Sequence, residues 1–332
     1  MITKVVSPYK IGIIGTGYAA QKRAEAIKSD SRAELSVVTG NTPVKLAEFC
    51  QTHGAKAVDS WRELVSLPEL DLIFVCTINQ GCGEIALAAI QAGKHVVVEY
   101  PLALESDLAT KILELAHLKQ KLLHVEHIEI IGGLHQALKQ HLSEIGRVFF
   151  ARYTTIASQQ DIELSWKYHR KQFGFPLAAA LSRIHRLTDL FGKVSSVTCH
   201  NRYWDLTNLE DSDYFSACFC QAQLNFACKV TAEIVYGKGN VFWQSDRTLE
   251  IYGDRGKILF EGQTGRLITA EGDREIPVTP RRGLFAKDTQ MVLDYLFEGQ
   301  SLYIQPQASL YALKVANAAR ESSSSDKIVY LD

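Results

Sequence analysis

A glycine-containing segment near the start of the chain has the residue types and spacing of an anion-binding turn. It reads Gly15-Thr16-Gly17-Tyr18-Ala19-Ala20 and follows a short apolar run. The first glycine permits a tight turn, the second lets the backbone approach a phosphate, and the small Ala20 lets a helix pack against a strand. The amino end of that helix would face the anion. Because a predicted strand precedes the segment and a predicted helix follows it, we predict a dinucleotide site rather than an ordinary structural turn.

The end of the second predicted strand indicates which dinucleotide binds. An NAD-specific site carries an acidic residue about 20 residues after the turn, where it holds the ribose 2′-hydroxyl. The segment Val37–Thr42 contains no acid. Asn41 and Thr42 could instead donate hydrogen bonds to a 2′-phosphate, with Lys45 or Arg23 adding positive charge. We therefore predict NADPH as the cofactor, with NADH possible.

Two further loops follow buried apolar runs and complete the predicted cofactor site. Their residues are Thr77, Ile78, Asn79, Glu99 and Tyr100. Ligands of open parallel sheets bind outside the carboxyl ends of the strands. We therefore expect these loops to line the nicotinamide and its ribose, although an ordinary loop residue is an equal alternative for Gln80, which follows Asn79.

The elements that must position these loops are strands of a parallel sheet. Residues 10–125 alternate short apolar strands with helical patterns, which is typical of doubly wound folds. After about residue 125, alternating strands and tight turns replace that pattern. We predict an α/β protein with an N-terminal Rossmann doubly wound parallel sheet and a C-terminal α+β domain with an open, mostly antiparallel sheet. The predicted division is an NADP-binding domain over residues 1–125 and a substrate-binding domain over residues 126–332.

Composition excludes several classes of protein. The 332 residues suffice for two domains, and 46% apolar with 22% charged residues is typical of a soluble globular chain. A net charge of −1 argues against a nucleic-acid partner, and no run of about 18 apolar residues predicts a membrane span. Seven scattered cysteines and an amino terminus without a signal-peptide core favour the cytoplasm. We predict no metal site, and expect Cys218 and Cys220 to pack within the sheet.

Several segments resemble the biliverdin reductases, within the superfamily of glucose-fructose oxidoreductase, inositol dehydrogenase and rhizopine-catabolism proteins. They are Val98–Leu102, Leu123–Glu129, Phe173–Pro176, Ser182-Arg183 and Leu190–Gly192. Nearly the whole chain fits, and cyanobacterial members are especially similar. The resemblance implies hydride transfer from NADPH to the central methine carbon, C10, of a tetrapyrrole. A pyrrole nitrogen gains a proton, and biliverdin becomes bilirubin.

The chain departs from the sugar dehydrogenases of that superfamily. Tyr100 stands where they carry a lysine that polarises a sugar hydroxyl, and a tyrosine with a pKa of about 10 brings no positive charge at neutral pH. Ser182 and Arg186 stand at their aspartate and histidine positions, and Cys82 replaces a further histidine. The general-base apparatus for alcohol oxidation is therefore missing. This disfavours a sugar or dihydrodiol dehydrogenase, while a non-catalytic NADP-binding regulator remains an alternative.

The implied reaction predicts catalytic roles for four residues. Arg183 and Arg186 share a face of a helix predicted over Leu177–Leu190, and could donate hydrogen bonds, stabilise a propionate or order a proton-delivering water. Their alternative is a solvated helix face. Tyr100 could stack on the substrate or hydrogen-bond to it, or simply fill the cofactor cleft. Glu126, at an apolar strand end, would have a raised pKa and could hold a proton, unless it forms an ion pair at the domain hinge.

Basic residues beside aromatic ones could meet the propionates. Lys167, Arg170 and Phe173 are the first candidates, together with Arg183 and Arg186, and Arg281-Arg282-Gly283-Leu284-Phe285 is a second candidate segment. Isolated surface residues are the alternative for each. We expect a small-molecule tetrapyrrole as the substrate and no nucleic acid, membrane or obligate protein partner.

Overall fold

The chain folds into two compact units in a computed structural model that describes residues 7–206, 211 and 213–331. The first unit combines the residues up to Ile128 with Gly283–Leu310. The second combines Glu129–Arg282 with the residues from Tyr311 onward. The segment Gly283–Leu310 thus returns to the first unit, whereas the sequence-based division assigned it to the second. The functional division after residue 125 stays a prediction.

The first unit contains a six-stranded parallel sheet, as the sequence predicts. Its strands are β1 (Tyr9–Ile14), β2 (Ala33–Thr39), β3 (Lys56–Ala57), β4 (Leu72–Val75), β5 (His95–Glu99) and β6 (Leu123–Glu126). They lie in the order β3-β2-β1-β4-β5-β6, and all the pairs are parallel. The strand order reverses between β1 and β4, and ligands of such sheets bind at this reversal. The exposed two-residue β3 was not predicted because it has no apolar run.

Twelve α-helices occur among the described residues. They are α1 (Tyr18–Lys28), α2 (Pro43–His53), α3 (Trp61–Ser66), α4 (Asn79–Gln91), α5 (Ser106–Leu118), α6 (Ile128–Ile131), α7 (Gly133–His141), α8 (Arg170–Phe173), α9 (Pro176–Ala179), α10 (Ser182–Phe191), α11 (Leu284–Glu298) and α12 (Pro306–Ser325). None of the described helices has the length and apolar composition needed to cross a membrane. Helix α1 packs Ala20, Ala24 and Ile27 into the core of the first unit, and this burial fixes the turn that precedes it.

The second unit contains a nine-stranded open sheet. Its strands are β7 (Val148–Ser158), β8 (Val194–Asp205), β9 (Phe215–Phe226), β10 (Thr231–Gly239), β11 (Asp246–Gly253), β12 (Gly256–Glu261), β13 (Thr264–Thr269), β14 (Gly272–Ile276) and β15 (Val329–Tyr330). The order is β14-β13-β12-β11-β7-β10-β9-β8-β15. Strands β7 and β10 are parallel and the other pairs are antiparallel, which confirms the mostly antiparallel sheet.

Cysteine packing within this sheet also agrees with the prediction. Cys218 and Cys220 lie on β9 and are fully buried. The sulfur of Cys220 lies 3.5 Å from that of Cys199 on β8. Burial raises the pKa of the Cys218 thiol to about 12, which keeps it protonated. These thiols are therefore packed core groups.

Two local predictions in the second unit are wrong. The helix predicted over Leu177–Leu190 is interrupted at Ala180, where ψ is 33°, so α9 ends and α10 begins afresh. The low-complexity run Ser322–Ser325, whose composition predicts a loop before a last short strand, is helical and ends α12. The hydroxyls of Ser323, Ser324 and Ser325 donate to backbone carbonyls one turn earlier in the same helix. The Ser322 hydroxyl instead donates to the Lys327 carbonyl at 2.7 Å.

Candidate active site

The predicted anion-binding turn joins β1 to α1. Gly15 has a φ of 118°, and a Cβ atom there would lie 2.2 Å from the carbonyl oxygen of Cys76. Only glycine fits this position. The Gly15 N–H donates to the Thr39 carbonyl at 2.8 Å, which ties the turn to the end of β2. No described atom lies within 4 Å of a Cβ built on Gly17, so an open cradle precedes the first turn of α1 and fits a pyrophosphate.

The residues predicted to meet a 2′-phosphate follow β2. Asn41 and Thr42 are exposed and lead directly into α2, and Lys45 is exposed in its first turn. The supporting role predicted for Arg23 is wrong, because its side chain is fully buried inside the first unit. Lys45 is therefore the remaining cation of the two that the sequence suggested.

Arg23 instead holds the end of β5 through a buried ion-pair cluster. Its Nε donates to Glu99 Oε1 at 3.0 Å, and its Nη1 forms an ion pair with Asp288 on α11 and donates to Thr289 Oγ1 at 3.0 Å. Arg23 and Asp288 are both 0% exposed, while the Glu99 side chain is 15% exposed. The Glu99 carboxylate, which we predict to line the cofactor, is thus held in place by the buried Arg23 guanidinium.

Asp288 receives two further hydrogen bonds on its other oxygen. His124 Nε2 lies 2.8 Å from Oδ1, and the Tyr303 hydroxyl donates to the same atom at 2.7 Å. Burial by itself would raise the pKa of Asp288, but Arg23 and His124 more than offset it and hold that pKa well below its usual range. Asp288 is therefore ionised, and it joins α1, β6 and α11 at one buried point.

Glu126 lies at the end of β6, close to this cluster, and its pKa is shifted in the opposite direction to that of Asp288. It is 3% exposed, and its Oε1 accepts a hydrogen bond from the Ile128 N–H at 2.6 Å. Burial raises its pKa well above the usual range, and Glu99 and Asp288 add to that shift. The direction agrees with the sequence-based expectation. Glu126 forms no salt bridge among the described residues, and its capacity to hold a proton for the reaction stays a prediction.

Tyr100 follows Glu99 and is held as a flat aromatic surface. Its ring stacks on the His127 ring with centroids 5.1 Å apart and planes 5° from parallel. His127 is fixed in turn, since its Nε2 lies 2.8 Å from Ser309 Oγ. The stacking geometry depends on the ring and not on the Tyr100 hydroxyl.

The loop after β4 is short, because a helix begins at its end. The sequence pattern of Gly83–Ala92 predicts a helix from Gly83, but α4 already starts at Asn79, which is 7% exposed. Thr77 and Ile78 precede it and are half-buried at the carboxyl end of β4. These three residues therefore lie at the same edge of the sheet as Gly15 and Glu99, the edge at which we predict the nicotinamide.

The second unit contains a pocket, partly open to solvent, that both predicted arginines line. Arg183 Nη1 donates to Ser182 Oγ at 2.9 Å, and its Nε donates to Thr155 Oγ1 at 3.4 Å. Arg186, one turn further along α10, is 2% exposed, and its guanidinium lies 5.9 Å from the centre of the Tyr153 ring. The predicted shared face is confirmed, and the alternative of a solvated helix face is wrong for Arg186.

Three further charged residues line this pocket, namely Glu129, Arg247 and Arg281. The pocket thus holds four arginines and one carboxylate, which favours an anionic ligand. Arg281 belongs to the second candidate segment, but Glu129 and Arg247 were not predicted as site residues. No local pattern distinguishes them, since only the pairing of β11 with β7 and the course of α6 bring them to α10.

The first group of predicted substrate-binding residues lies elsewhere. Arg170 forms an ion pair with Asp205, and its guanidinium lies 4.6 Å from the centre of the Tyr203 ring. Phe173 is 7% exposed and packs against Phe215 at 6.4 Å between ring centres. Neither these residues nor Lys167 line the pocket that contains Arg183 and Arg186. Their predicted contact with substrate stays a prediction.

Comparisons with known proteins place the fold and the two units in one family. Residues 9–127 match the model of an oxidoreductase family with an NAD-binding Rossmann fold, and residues 137–331 match its C-terminal alpha/beta domain. The biliverdin reductase of Synechocystis sp. PCC 6803, solved in complex with biliverdin and NADP+, is 51% identical with a TM-score of 0.93. That match covers 96% of this chain and 99% of the other.

Two mammalian proteins are similar over a shorter stretch. Biliverdin reductase A of Mus musculus is 29% identical over 211 residues, which are 62% of this chain and 66% of that protein. Biliverdin reductase A of Homo sapiens is 27% identical over 192 residues, which are 57% of this chain and 60% of that protein. The aligned part thus spans less than two thirds of either mammalian relative. The chain belongs to the oxidoreductase family of glucose-fructose oxidoreductase, inositol dehydrogenase and rhizopine-catabolism proteins, with an NAD-binding Rossmann domain and a C-terminal alpha/beta domain.

Proposed function

We propose that this protein is a biliverdin reductase that uses NADPH. The observation that carries the proposal is the 51% identity, over nearly the whole of both chains, to an enzyme solved with biliverdin and NADP+. The residues that replace the sugar-dehydrogenase machinery support it, since Tyr100, Ser182 and Arg186 leave no base for an alcohol. Bound NADPH would supply the hydride that the C10 methine receives. A pyrrole nitrogen takes a proton, and the product is bilirubin.

The first unit's role in this proposal is to hold and orient the cofactor. The turn at Gly15 and Gly17 would bind the pyrophosphate, while Asn41 and Thr42 would donate to the 2′-phosphate with Lys45 nearby in sequence. Glu99 is fixed by Arg23 and so presents a rigid edge to the nicotinamide side of the sheet. Preorganised polar groups of this kind cost little reorganisation during the reaction.

The second unit's role is to bind the acidic tetrapyrrole and to deliver the proton. The pocket offers apolar side chains, Leu249 and Phe260, beside its arginines, which suits a ligand with flat rings and carboxylates. Arg183 stays charged at any working pH, so it acts by donating hydrogen bonds and by ordering a water that carries the proton. Arg186, buried against Tyr153, stabilises negative charge on the ligand.

A direct assay tests the proposal. The protein is mixed with NADPH and biliverdin, and the visible spectrum is followed as green biliverdin is converted to yellow bilirubin. Catalytic turnover is the expected result. Saturable binding of both compounds without turnover would instead support the NADP-binding regulator, and oxidation of a sugar with NADP+ would support the dehydrogenase alternative.

The enzyme is expected to prefer NADPH over NADH. The reason is that Thr39 is followed by Gly40 and Asn41 rather than by an acid that would repel a 2′-phosphate. Steady-state kinetics with each cofactor gives the two specificity constants. As a matched variant, Asn41→Asp should lower kcat/KM with NADPH by about tenfold, near 1.4 kcal/mol, and spare NADH. A tenfold preference of the wild type for NADH would contradict the assignment of this loop.

Tyr100→Phe is expected to retain most of its activity. Hydride transfer to carbon needs no base at this position, and phenylalanine keeps the ring that stacks on His127. The measurement is kcat and KM for biliverdin, with Tyr100→Ala as the comparison that also removes the stacking surface. A fall of about a thousandfold in kcat for Tyr100→Phe, near 4 kcal/mol, would make the hydroxyl a participant in the chemistry.

A further inference from the structure

The arginine-rich pocket of the second unit already contains one carboxylate. Glu129 Oε1 accepts a hydrogen bond from Arg281 Nη2 at 2.5 Å, and Glu129 Oε2 lies 3.6 Å from Arg186 Nη2. Glu129 is only 17% exposed at its side chain, so it is held inside the pocket and not at its rim. A protein carboxylate thus occupies the space between two guanidinium groups that line a ligand pocket.

The hydrogen bonding of Arg186 is incomplete in this arrangement. Its side chain is 3% exposed, and its Nε and Nη1 have no hydrogen-bond partner among the described residues. The distance of 3.6 Å from Nη2 to Glu129 is also longer than a hydrogen bond. A buried guanidinium with unmet donors is costly, and a bidentate carboxylate is the acceptor that fits its planar geometry. Glu129 therefore satisfies the hydrogen-bond donors of Arg186 only in part, and the site has room for a better acceptor.

Arg281 differs from Arg186 in its freedom to move. Its side chain is 51% exposed, so the guanidinium can rotate between two acceptors at little cost. Its backbone is nevertheless fixed, because the preceding loop lies directly on α7. A Cβ atom on Gly133 would lie 2.2 Å from Thr279 Oγ1 and 2.6 Å from the Thr279 N. A mobile cation on a fixed loop is suited to exchanging one carboxylate for another.

The remaining lining indicates the kind of ligand. Leu249 and Phe260 are buried and lie on the adjacent strands β11 and β12, so one wall of the pocket is apolar. A ligand that contacts this wall and the arginines together carries a carboxylate on a flat or branched apolar body. The propionate side chains of biliverdin have this chemistry.

We propose that Glu129 is an internal stand-in for a substrate propionate, which displaces it from Arg281 and Arg186 on binding. This inference rests on the proposed function, because it identifies the displacing anion as a carboxylate of biliverdin. Arg281 then selects for the free carboxylate, and Glu129 weakens binding by competing for the same donors. Glu129 and Arg281 are thus specificity-determining residues of opposite effect.

Equilibrium titration of the NADP+-loaded protein with biliverdin and with biliverdin dimethyl ester tests this inference. The ester keeps the rings but lacks the anionic carboxylates. Wild-type protein should bind biliverdin at least about tenfold more tightly than the ester, and Arg281→Gln should remove most of that difference. Arg147→Gln is the matched control, since Arg147 is 89% exposed at its side chain and does not line the pocket. It should leave both dissociation constants within about twofold.

Glu129→Gln shows whether Glu129 competes with the substrate carboxylate for the arginines or instead helps the substrate to bind. If Glu129 is a stand-in, this variant binds biliverdin about three- to tenfold more tightly and the ester with unchanged affinity. Weaker or unchanged binding of biliverdin by a variant with a wild-type circular dichroism spectrum and melting temperature would overturn the inference. Failure of the proposed function is distinguishable, because wild-type protein would then bind biliverdin without reducing it. If the wild-type protein reduces biliverdin but binds biliverdin and the ester with equal affinity, the inference about Glu129 is overturned and the proposed function stands.

Discussion

Replacing Arg183 with alanine is expected to lower kcat for biliverdin reduction by about a thousandfold, near 4 kcal/mol of transition-state stabilisation. Arg183 lines the pocket of the second unit, and its guanidinium is tethered through Ser182 and Thr155. The catalytic lysine, aspartate and histidine of the sugar dehydrogenases are replaced in this chain. The hydrogen bonds that guide a proton to the pyrrole nitrogen therefore have to come from another preorganised group, and we assign them to Arg183.

Two companion measurements make the expectation specific. The dissociation constant of NADPH should change little in Arg183→Ala, because the cofactor is bound by the glycine turn of the first unit. Arg183→Lys should recover little of the lost rate, since an ammonium cannot reproduce a planar fork with five donors. Arg147→Ala, which removes an exposed arginine outside the pocket lining, is the control and should keep the wild-type kcat.

Other outcomes would assign Arg183 a different role. A wild-type kcat with a raised KM for biliverdin would mean that Arg183 only anchors a propionate. Wild-type values of both parameters would show that the residue is not needed by the reaction at all. Either result would contradict the proton-delivery role proposed for it.

The parallel sheet and the cofactor turn could be predicted because each depends on a short contiguous segment. Val96–Val98 is apolar throughout, which predicts a strand over His95–Glu99 that is buried on both faces, and β5 has these bounds. The spacing of Gly15 and Gly17 likewise determines a local backbone geometry. The short helix α3 and the hairpin of β13 and β14 were not predicted, because neither contains a long apolar run or a clear periodic pattern.

The partners of charged residues could not be predicted, because they come from distant parts of the chain. Arg23 and Asp288 are 265 positions apart, and a sequence pattern cannot show that α11 returns to pack on α1. Arg23 was therefore interpreted as a cofactor ligand when it is a core ion-pair residue. Lys167 and Arg170 do not line the pocket that contains Arg183, although their aromatic neighbours in sequence suggested a ligand site, and their contact with substrate stays a prediction.

The break between α9 and α10 shows how a small backbone feature changes a site. In an unbroken helix over Leu177–Leu190 the Arg183 N–H would donate to the carbonyl four residues earlier, whereas here it donates to the Ala180 carbonyl, three residues earlier, at 3.0 Å. The turn at Ala180 instead makes Arg183 part of the first turn of α10, with Arg186 one turn behind it. No proline or glycine marks the break, so only tertiary packing determines it. The shared face of the two arginines was predictable, since their spacing of three residues lies within α10.

Asp288→Ala is expected to lower the free energy of unfolding by about 3–5 kcal/mol, which is the usual cost of removing one partner from a buried ion pair. Asp288 and Arg23 are both fully buried, and the variant also leaves His124 and the Tyr303 hydroxyl without their acceptor. Urea-induced unfolding of the intact protein measures the change. Glu298→Gln on the same helix is the control, because Glu298 is 50% exposed in its pair with Arg32 and should cost at most about 1 kcal/mol.

The pH dependence of Asp288→Asn separates the charge of Asp288 from its packing. Arg23 and His124 hold the pKa of Asp288 below its unfolded value of about 3.9, despite burial that would raise it. Its ionic contribution is therefore fully present above that value and is lost as the pH falls towards the lower, folded pKa. The stability difference between wild type and Asp288→Asn should be constant from about pH 6 to pH 8 and should shrink below about pH 4. A difference that stays constant down to pH 3 would mean that Asp288 stabilises the fold through hydrogen bonds and packing, and that the ion pair with Arg23 contributes nothing measurable.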